Sequence, residues 1–374
     1  MQRNQRILGL LAVLLAVVTV PAFADEGRTP LYEPTTITMP GSYVVTRNIS
    51  SATGPVLTIT AEGVSVDLNG FELNGGDPAA PVVLFDPPDT EADHRDHYFN
   101  LFGGNIVGGV HGVQVTGAER RNVHLHHLQV GGAADAAVRV HNTGNFHAEM
   151  VTVVESLVGF DLMCPMGDTC GPAMMDQVNV HASRGVQCSG VTCSVEDSSF
   201  VVLGGMIRLT DAPNSHVQGN NAMVFTGGFN PQPEPPARIA DVVRSGAANF
   251  EGNSFQGAGL SNGSHDGIVF DAMSPHGRIV DNLVSMAGDD GIRVLGNDTL
   301  VAHNAVVGAG GTAIVVDGTN NFLQTNKVSG CGGFGMDFQN GNHVMRGNIL
   351  LGNDGGAMNI SAAAVVRDAG GNEM

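Results

Sequence analysis

Two acidic groups stand a short interval apart and carry the residue types needed for acid–base chemistry. His265-Asp266-Gly267 and Asp289-Asp290-Gly291 each lead directly into an apolar alternating run, and Arg293 follows the second group. If the two runs stack side by side, Asp266 falls beside Asp290 and His265 beside Asp289. Carboxylates held that close shift one another's pKa values and could divide the roles of acid and base. The same oxygens could ligate Ca²⁺, which takes several hard oxygen donors. Arg293 would point outward from the adjacent strand, where it could hold a substrate carboxylate or hydroxyl. Asp-Gly ahead of an apolar strand is also ordinary turn chemistry.

Histidines and cysteines supply further candidates. Asp93-His94-Arg95-Asp96-His97 gathers imidazoles and carboxylates, while His124, His126 and His127 crowd one run in which His124 and His126 share a face. A transition-metal site could draw on either group, but it needs three or four convergent ligands, and two from one strand are too few. Solvated histidines are the simpler reading. Cys188 and Cys193 follow Cys164 and Cys170 at nearly equal intervals, close to the length of one repeat of the chain. Neither pair has C-x-x-C spacing and no histidine lies within either loop, so disulfides within or between two adjacent loops are expected rather than metal. Cys331 is left over and reads as a small buried residue. Four N-x-S/T matches, at Asn48, Asn262, Asn297 and Asn359, are what chance gives in an Asn-rich chain.

What must position these side chains is a repeat. Asn282, Asn304, Asn326 and Asn348 recur at one constant interval, and nine residues after each comes a small residue followed by an apolar one, as in Gly291-Ile292 and Ala313-Ile314. Such a period, roughly 20–30 residues of short apolar runs broken by Gly and Asn, is too long for a heptad and lacks the pattern of helical repeats. Each unit is expected to be one coil of a β-solenoid. Within a coil, Ile292 and Val294 alternate with Arg293, which places the aliphatics inside and the arginine outside. Asn304 is expected at a turn, where asparagine tolerates a left-handed backbone, with its amide bonded to the asparagine one coil away. Stacked parallel strands about 4.8 Å apart then bury one continuous core.

Composition agrees with a solenoid: 52 Gly, no Trp, 3 Tyr and a single lysine, Lys327. Residues 1–24 read as a targeting segment, with Arg3 and Arg6, an apolar stretch from Ile7 to Val20, and Ala22-Phe23-Ala24 as a cleavage pattern. Cleavage after Ala24 is expected, giving a periplasmic or secreted chain in which residues 25–374 form one domain: a cap over 25–60 and the most regular coils over 276–360. No later segment is apolar enough to suggest a membrane span. The net charge of −19 repels nucleic acid and anionic membrane. It also disfavours polyanionic glycans unless Ca²⁺ bridges the charges.

Gly41 to Asn48 fits GxYxVxxN and Val64 to Leu73 fits VxxDLNGxxL. These segments resemble the opening of bacterial right-handed parallel β-helix repeat proteins of the pectin-lyase-like superfamily, which includes lyases, hydrolases, epimerases and accessory factors of the NosD type. The resemblance implies an all-β, single-stranded right-handed parallel β-helix, here of about 10–12 coils. Alignment of the coils on the Gly-Ile position gives an outward column of Gln114, Arg139, Asp161, Gln187, Arg208, Val224, Val269, Arg293, Val315, Asp337 and Asn359. Its first half is polar and of mixed charge, as a saccharide-binding face requires. Three insertions, Asp86 to His97, Met163 to Gly171 and the proline-rich Gly227 to Arg238, are expected to follow the same strand and to wall one edge of that face.

Ser264-His265-Asp266-Gly267 and Gly288-Asp289-Asp290-Gly291 further resemble the Asn-Thr-Asp and Gly-Asp-Asp motifs of polygalacturonase-type glycoside hydrolases. One coil later that family has Gly-His-Gly, where this chain has Gly308-Ala309-Gly310-Gly311, and its Arg-x-Lys motif is absent. The expectation is a glycan-interacting protein acting along the Arg139 to Arg293 face, with polysaccharide or a cell-surface glycan as partner. In a hydrolase, Asp266, Asp289 and Asp290 would share the acid, base and substrate-holding roles. In a lyase or epimerase, Arg208 or Arg293 would be the base, with Ca²⁺ neutralising the uronate. Arg139, Asp161, Gln187 and His265 would bind substrate. The other class of function is a non-catalytic module that presents loops to a protein partner.

Overall fold

The computed structural model describes residues 27–88, 98–116, 118–165, 168, 170–225, 238–258 and 265–374, without the side chains of 118–121, 143 and 258. The chain winds as a right-handed parallel β-solenoid of about 13 turns, slightly longer than the 10–12 expected. Among the described residues there is no α-helix, and so none long and apolar enough to cross a membrane. The expected leader 1–24, the Asp93–His97 group and the proline-rich 227–237 fall outside the described residues.

Strands stack in three columns. Column one holds Val113–Val115, Ala136–His141, Ile207–Thr210, Ala240–Val243, Ile268–Phe270, Ile292–Val294 and their neighbours. Column two holds Gly41–Val45, Val64–Asp67, Ala173–Asp176, Cys193–Glu196 and their neighbours. Column three includes Ser199–Val202, Asn221–Phe225, Leu283–Ser285 and Ala305–Val307. Thr143–Met163 runs through all three columns, bending at Met150 and Glu155, which take φ 51 and 54°. The inward positions are mostly aliphatic or phenylalanine, with Met175, Cys188, Cys193 and Met336 among them, so each coil covers the apolar face of the next. Ile292 and Val294 are fully buried while Arg293 between them is not, as the alternation requires.

The corners are built from buried asparagine. Asn304 is fully buried; its Nδ2 donates to Ile279 O at 2.7 Å and to Asn326 Oδ1 at 3.0 Å, and its Oδ1 accepts from the N–H and Nδ2 of Asn282, both at 3.0 Å. The ladder runs from Asn220 through Asn253, Asn282, Asn304, Asn326 and Asn348 to Asn372. The left-handed residue is not the asparagine, as expected from sequence, but the one before it: Asp281, His303 and Thr325 have φ 57, 58 and 53°. The positive-φ residue makes the bend, which leaves the asparagine free to point inward and satisfy the backbone.

Two disulfides, Cys164–Cys170 and Cys188–Cys193, each close one short loop, and Cys331 is free and buried. The pairing lies within loops rather than between them. Leu162 and Cys188 are register partners, so the two loops leave adjacent coils at the same edge of column one.

One part of the sequence alignment is corrected. Val224 belongs to column three, where Val202 is its register partner, and the column-one partner of Arg208 is Asp241. The strand before the proline-rich insertion, Asn221–Phe225, is therefore a column-three strand, whereas the strands before the other two insertions, Val83–Phe85 and the end of Thr143–Met163, belong to column one. The wall expected from the sequence rests on residues 89–97 and 226–237, which lie outside the described residues.

Candidate functional site

The outward ladder of column one reads Gln114, Arg139, Asp161, Gln187, Arg208, Asp241, Val269, Arg293, Val315 in register. Its upstream part is closed on itself. Arg139 Nε donates to Asp161 Oδ2 at 2.9 Å, Nη2 to Asp135 Oδ2 at 3.0 Å, and Nη1 lies 2.8 Å from His111 Nε2. Burial alone would raise the Asp161 carboxyl, but His141, 3.7 Å away, and the hydrogen bond and charge of Arg139 outweigh it and hold Asp161 below the usual carboxylate range. Arg139 and Asp161, read from sequence as substrate-binding, thus neutralise each other. Gln187 separates this cluster from the next along the ladder.

Downstream, arginines and carboxylates alternate without saturating one another. Arg238 Nη1 donates to Asp241 Oδ1 at 2.6 Å, and Arg208 Nε approaches Asp241 Oδ2 only to 3.7 Å; the Arg208 side chain is half exposed. Two coils on, Arg293 Nη1 lies 3.7 Å from Asp266 Oδ2 and 3.6 Å from Asp290 Oδ2, both beyond hydrogen-bond reach. Its Nε is buried with no hydrogen-bond partner. The register partners of Arg293 on either side, Val269 and Val315, are buried although they point outward. The guanidinium therefore emerges from apolar surroundings between two carboxylates.

Coil stacking brings the two acidic groups together as the sequence suggested. Ile268 pairs with Ile292, and the Asp290 N–H donates to Asp266 Oδ1 at 3.3 Å. Asp266, Asp289 and Asp290 each present a carboxylate oxygen within 4.8 Å of the other two. The His265 backbone carbonyl accepts the Asp289 N–H at 3.1 Å. The glycines after the acids are required by packing: a Cβ on Gly267 would lie 2.2 Å from Gly291 O, and one on Gly291 2.7 Å from Ala313 O. The Asp266 and Asp290 carboxylates also serve the scaffold, each accepting a backbone N–H one coil on, from Asp290 and Thr312.

Burial pushes the Asp290 carboxyl up to about 6; the neighbouring charges of Asp289 and Asp266 add to the rise, and the Thr312 N–H bond to Oδ1 at 2.8 Å opposes it. Asp266 is likewise raised by burial, against the pull of Arg293. A carboxyl near 6 exchanges its proton around neutral pH, which a surface aspartate does not.

Sequence reasoning missed Asp241 and Arg238, which continue this charged surface from Asp266 toward Arg208. The signal lies in the spacing: Ala240 precedes Asn253 by nearly the interval at which Ile292 precedes Asn304.

Residues 239–369 match the family model described as "Right handed beta helix region". No curated protein matches the chain in sequence. Among solved structures it is similar to a mutant of the periplasmic alginate epimerase AlgG, with 11% identity over 90% of this chain and 79% of that one, TM-score 0.46. It is also similar to PfbA, a surface adhesin of Streptococcus pneumoniae, with 10% identity over 88% and 81%, TM-score 0.42. A third is the A-module of the Azotobacter vinelandii mannuronan C-5 epimerase AlgE6, with 10% identity over 89% and 90%, TM-score 0.39. By its own strand register, and by the family model that matches its C-terminal third, the chain is a right-handed parallel β-helix.

Proposed function

We propose that this protein binds a neutral or weakly charged glycan along column one and hydrolyses it at the Asp266–Asp290 pair. The observation that carries the reading is the raised Asp290 carboxyl, packed against a second raised carboxyl and under an arginine whose Nε has no partner. Protonated Asp290 donates to the glycosidic oxygen of the leaving sugar while the ionised member of the Asp266/Asp289 set, at the short separation of a double displacement, attacks the anomeric carbon; water then releases the bound sugar, giving its proton to Asp290. Arg293 holds a substrate hydroxyl and stabilises the carboxylate left on Asp290. Arg208, Asp241 and Arg238 extend the surface at coil spacing, roughly the length of a sugar ring, so that consecutive residues of a chain meet consecutive coils.

The acid pair favours hydrolysis over uronate chemistry. A protonated carboxyl serves a leaving oxygen, whereas abstraction next to a uronate carboxylate needs a stronger base and a positive surround, and this chain carries a net charge of −19. The same three carboxylates are also a fitting donor set for Ca²⁺. That reading gives the site a cation-dependent role in holding glycan without turnover. Two disulfides suit an oxidising compartment and, with the leader, a secreted or periplasmic setting.

The test is a glycan panel assayed with and without Ca²⁺, reading both new reducing ends and unsaturated-uronate absorbance. Reducing ends without uronate absorbance, and without need of Ca²⁺, are expected. Uronate absorbance would replace hydrolysis by elimination, and glycan binding with neither signal would leave a non-catalytic binding module.

A further inference from the structure

Column two carries a second group of coordinating side chains, remote in role from the carboxylates of column one. His124 and His126 lie on the strand Ala118–Gly131, and His147 and Glu149 on Thr143–Met163; His124 is opposite His147 and His126 opposite Glu149. Leu125 and Ala148 between them are fully buried, so the four polar side chains share the outer face. The His124 and His147 rings stack in parallel, with centroids 4.7 Å apart and planes 4° from coincidence. Glu149 Oε2 lies 3.8 Å from His124 Nε2, and one ligand atom from each of His124, His147 and Glu149 lies within 4.8 Å of the other two.

A solvated histidine does not account for this arrangement. His124 Nε2 is closed off from water and has no hydrogen-bond partner, and the Oδ1 of Asn100, the register partner of His124 on the preceding coil, is in the same condition. Orphaned polar atoms of this kind are costly and call for a partner that the protein itself does not supply. His126 is differently engaged: its ring stacks on Phe102 at 4.7 Å and its Nδ1 lies 3.0 Å from His127 Nδ1.

We propose that His124, His147 and Glu149 form a binding site for a divalent late transition metal of the Zn²⁺ class. Two imidazoles and one carboxylate are the protein donor set of open three-ligand zinc sites, and imidazole selects against Ca²⁺ and Mg²⁺. Ligands about 2.0–2.1 Å from a tetrahedral ion are roughly 3.3 Å apart. The His124–Glu149 pair, at 3.8 Å, is close to that, and the stacked His124 and His147 rings must tilt toward each other to share one ion. The His124 and Glu149 side chains as a whole are 39% and 33% exposed, so the group stands at the surface of the column, where an ion from solution reaches it. Down the column Glu149, Asp176 and Glu196 stand in register on successive coils, an acidic stripe that draws cations toward the site.

The test is calorimetric titration of the untagged full chain with Zn²⁺ alone, and with Co²⁺ for its ligand-field absorption. One equivalent is expected to bind wild type and Asp290→Asn alike, and at least tenfold more weakly to His147→Gln and to Glu149→Gln, each shown by circular dichroism to be folded. The two variants are read separately, so a folding failure in one leaves the other decisive. Absence of saturable Zn²⁺ binding, binding unchanged in the folded variants, or binding lost only in Asp290→Asn would each overturn the assignment. The last outcome would place the metal on the carboxylates of column one.

Discussion

Replacing Asp290 by asparagine preserves the shape of the side chain and its acceptance of the Thr312 N–H, and removes only the charge. A carboxyl pushed up to about 6 has an ionised form that the fold disfavours by roughly 3 kcal/mol relative to an ordinary aspartate near 3.9. The carboxylate retains some contact with water, and solvent screening reduces this to about 1.5 kcal/mol. The sign follows from proton binding. Across roughly pH 4–6 the native state holds a proton that the unfolded chain has released, so stability falls as pH rises through that window and levels off above it. Asp290→Asn should therefore raise stability by about 1–2 kcal/mol at pH 7.5 and leave it nearly unchanged at pH 4. Urea unfolding at the two pH values, followed by far-UV circular dichroism, measures the difference. A variant less stable than wild type at pH 7.5, or equally stabilised at both, would show that burial does not strain this carboxylate.

Other perturbations separate scaffold from site. Asn304→Ala leaves the Asn282 amide and the Ile279 carbonyl without partners in the core and should lower unfolding free energy by about 2–4 kcal/mol; a loss under about 0.5 kcal/mol would deny the ladder its role. Asp161→Asn should behave oppositely to Asp290→Asn, because the Asp161 pKa is depressed. Its contribution is present above the ordinary aspartate pKa and is lost as pH falls through the folded value. The variant should be about 1–2 kcal/mol less stable at pH 7, with the gap starting to close only below about pH 4 and vanishing below the depressed folded pKa, and a gap that persists in stronger acid would exclude the ion pair as its cause.

Periodicity makes the fold legible, and its interruptions set the limits. The constant Asn spacing dictates the coil, the inward alternation and the stacking of Asp266 on Asp290, because each follows from chain geometry alone. Val224 defeats the alignment because alternating aliphatics look alike in every column, and because the ladder step from Asn220 to Asn253 is half as long again as the step from Asn282 to Asn304. Ala222 follows Asn220 by two residues, as Val284 follows Asn282, and that spacing marks column three. The histidine cluster is half visible. His124 and His126 offer two ligands on one strand, while the remaining partners, His147 and Glu149, stand one coil later in register. The pKa of Asp290 cannot be read at all, since it arises from burial between coils and not from residue type.

The most direct measurement of the central claim is the initial rate of reducing-end release from the best glycan of the panel, wild type against Asp290→Asn, over pH 4–8. With Asp290 as proton donor, wild-type kcat/KM should fall as pH rises past about 6, and the variant should lose about 10²–10⁴-fold at every pH. A folded Asp290→Asn protein that keeps wild-type turnover, or a wild-type rate with no fall near pH 6, would contradict the account.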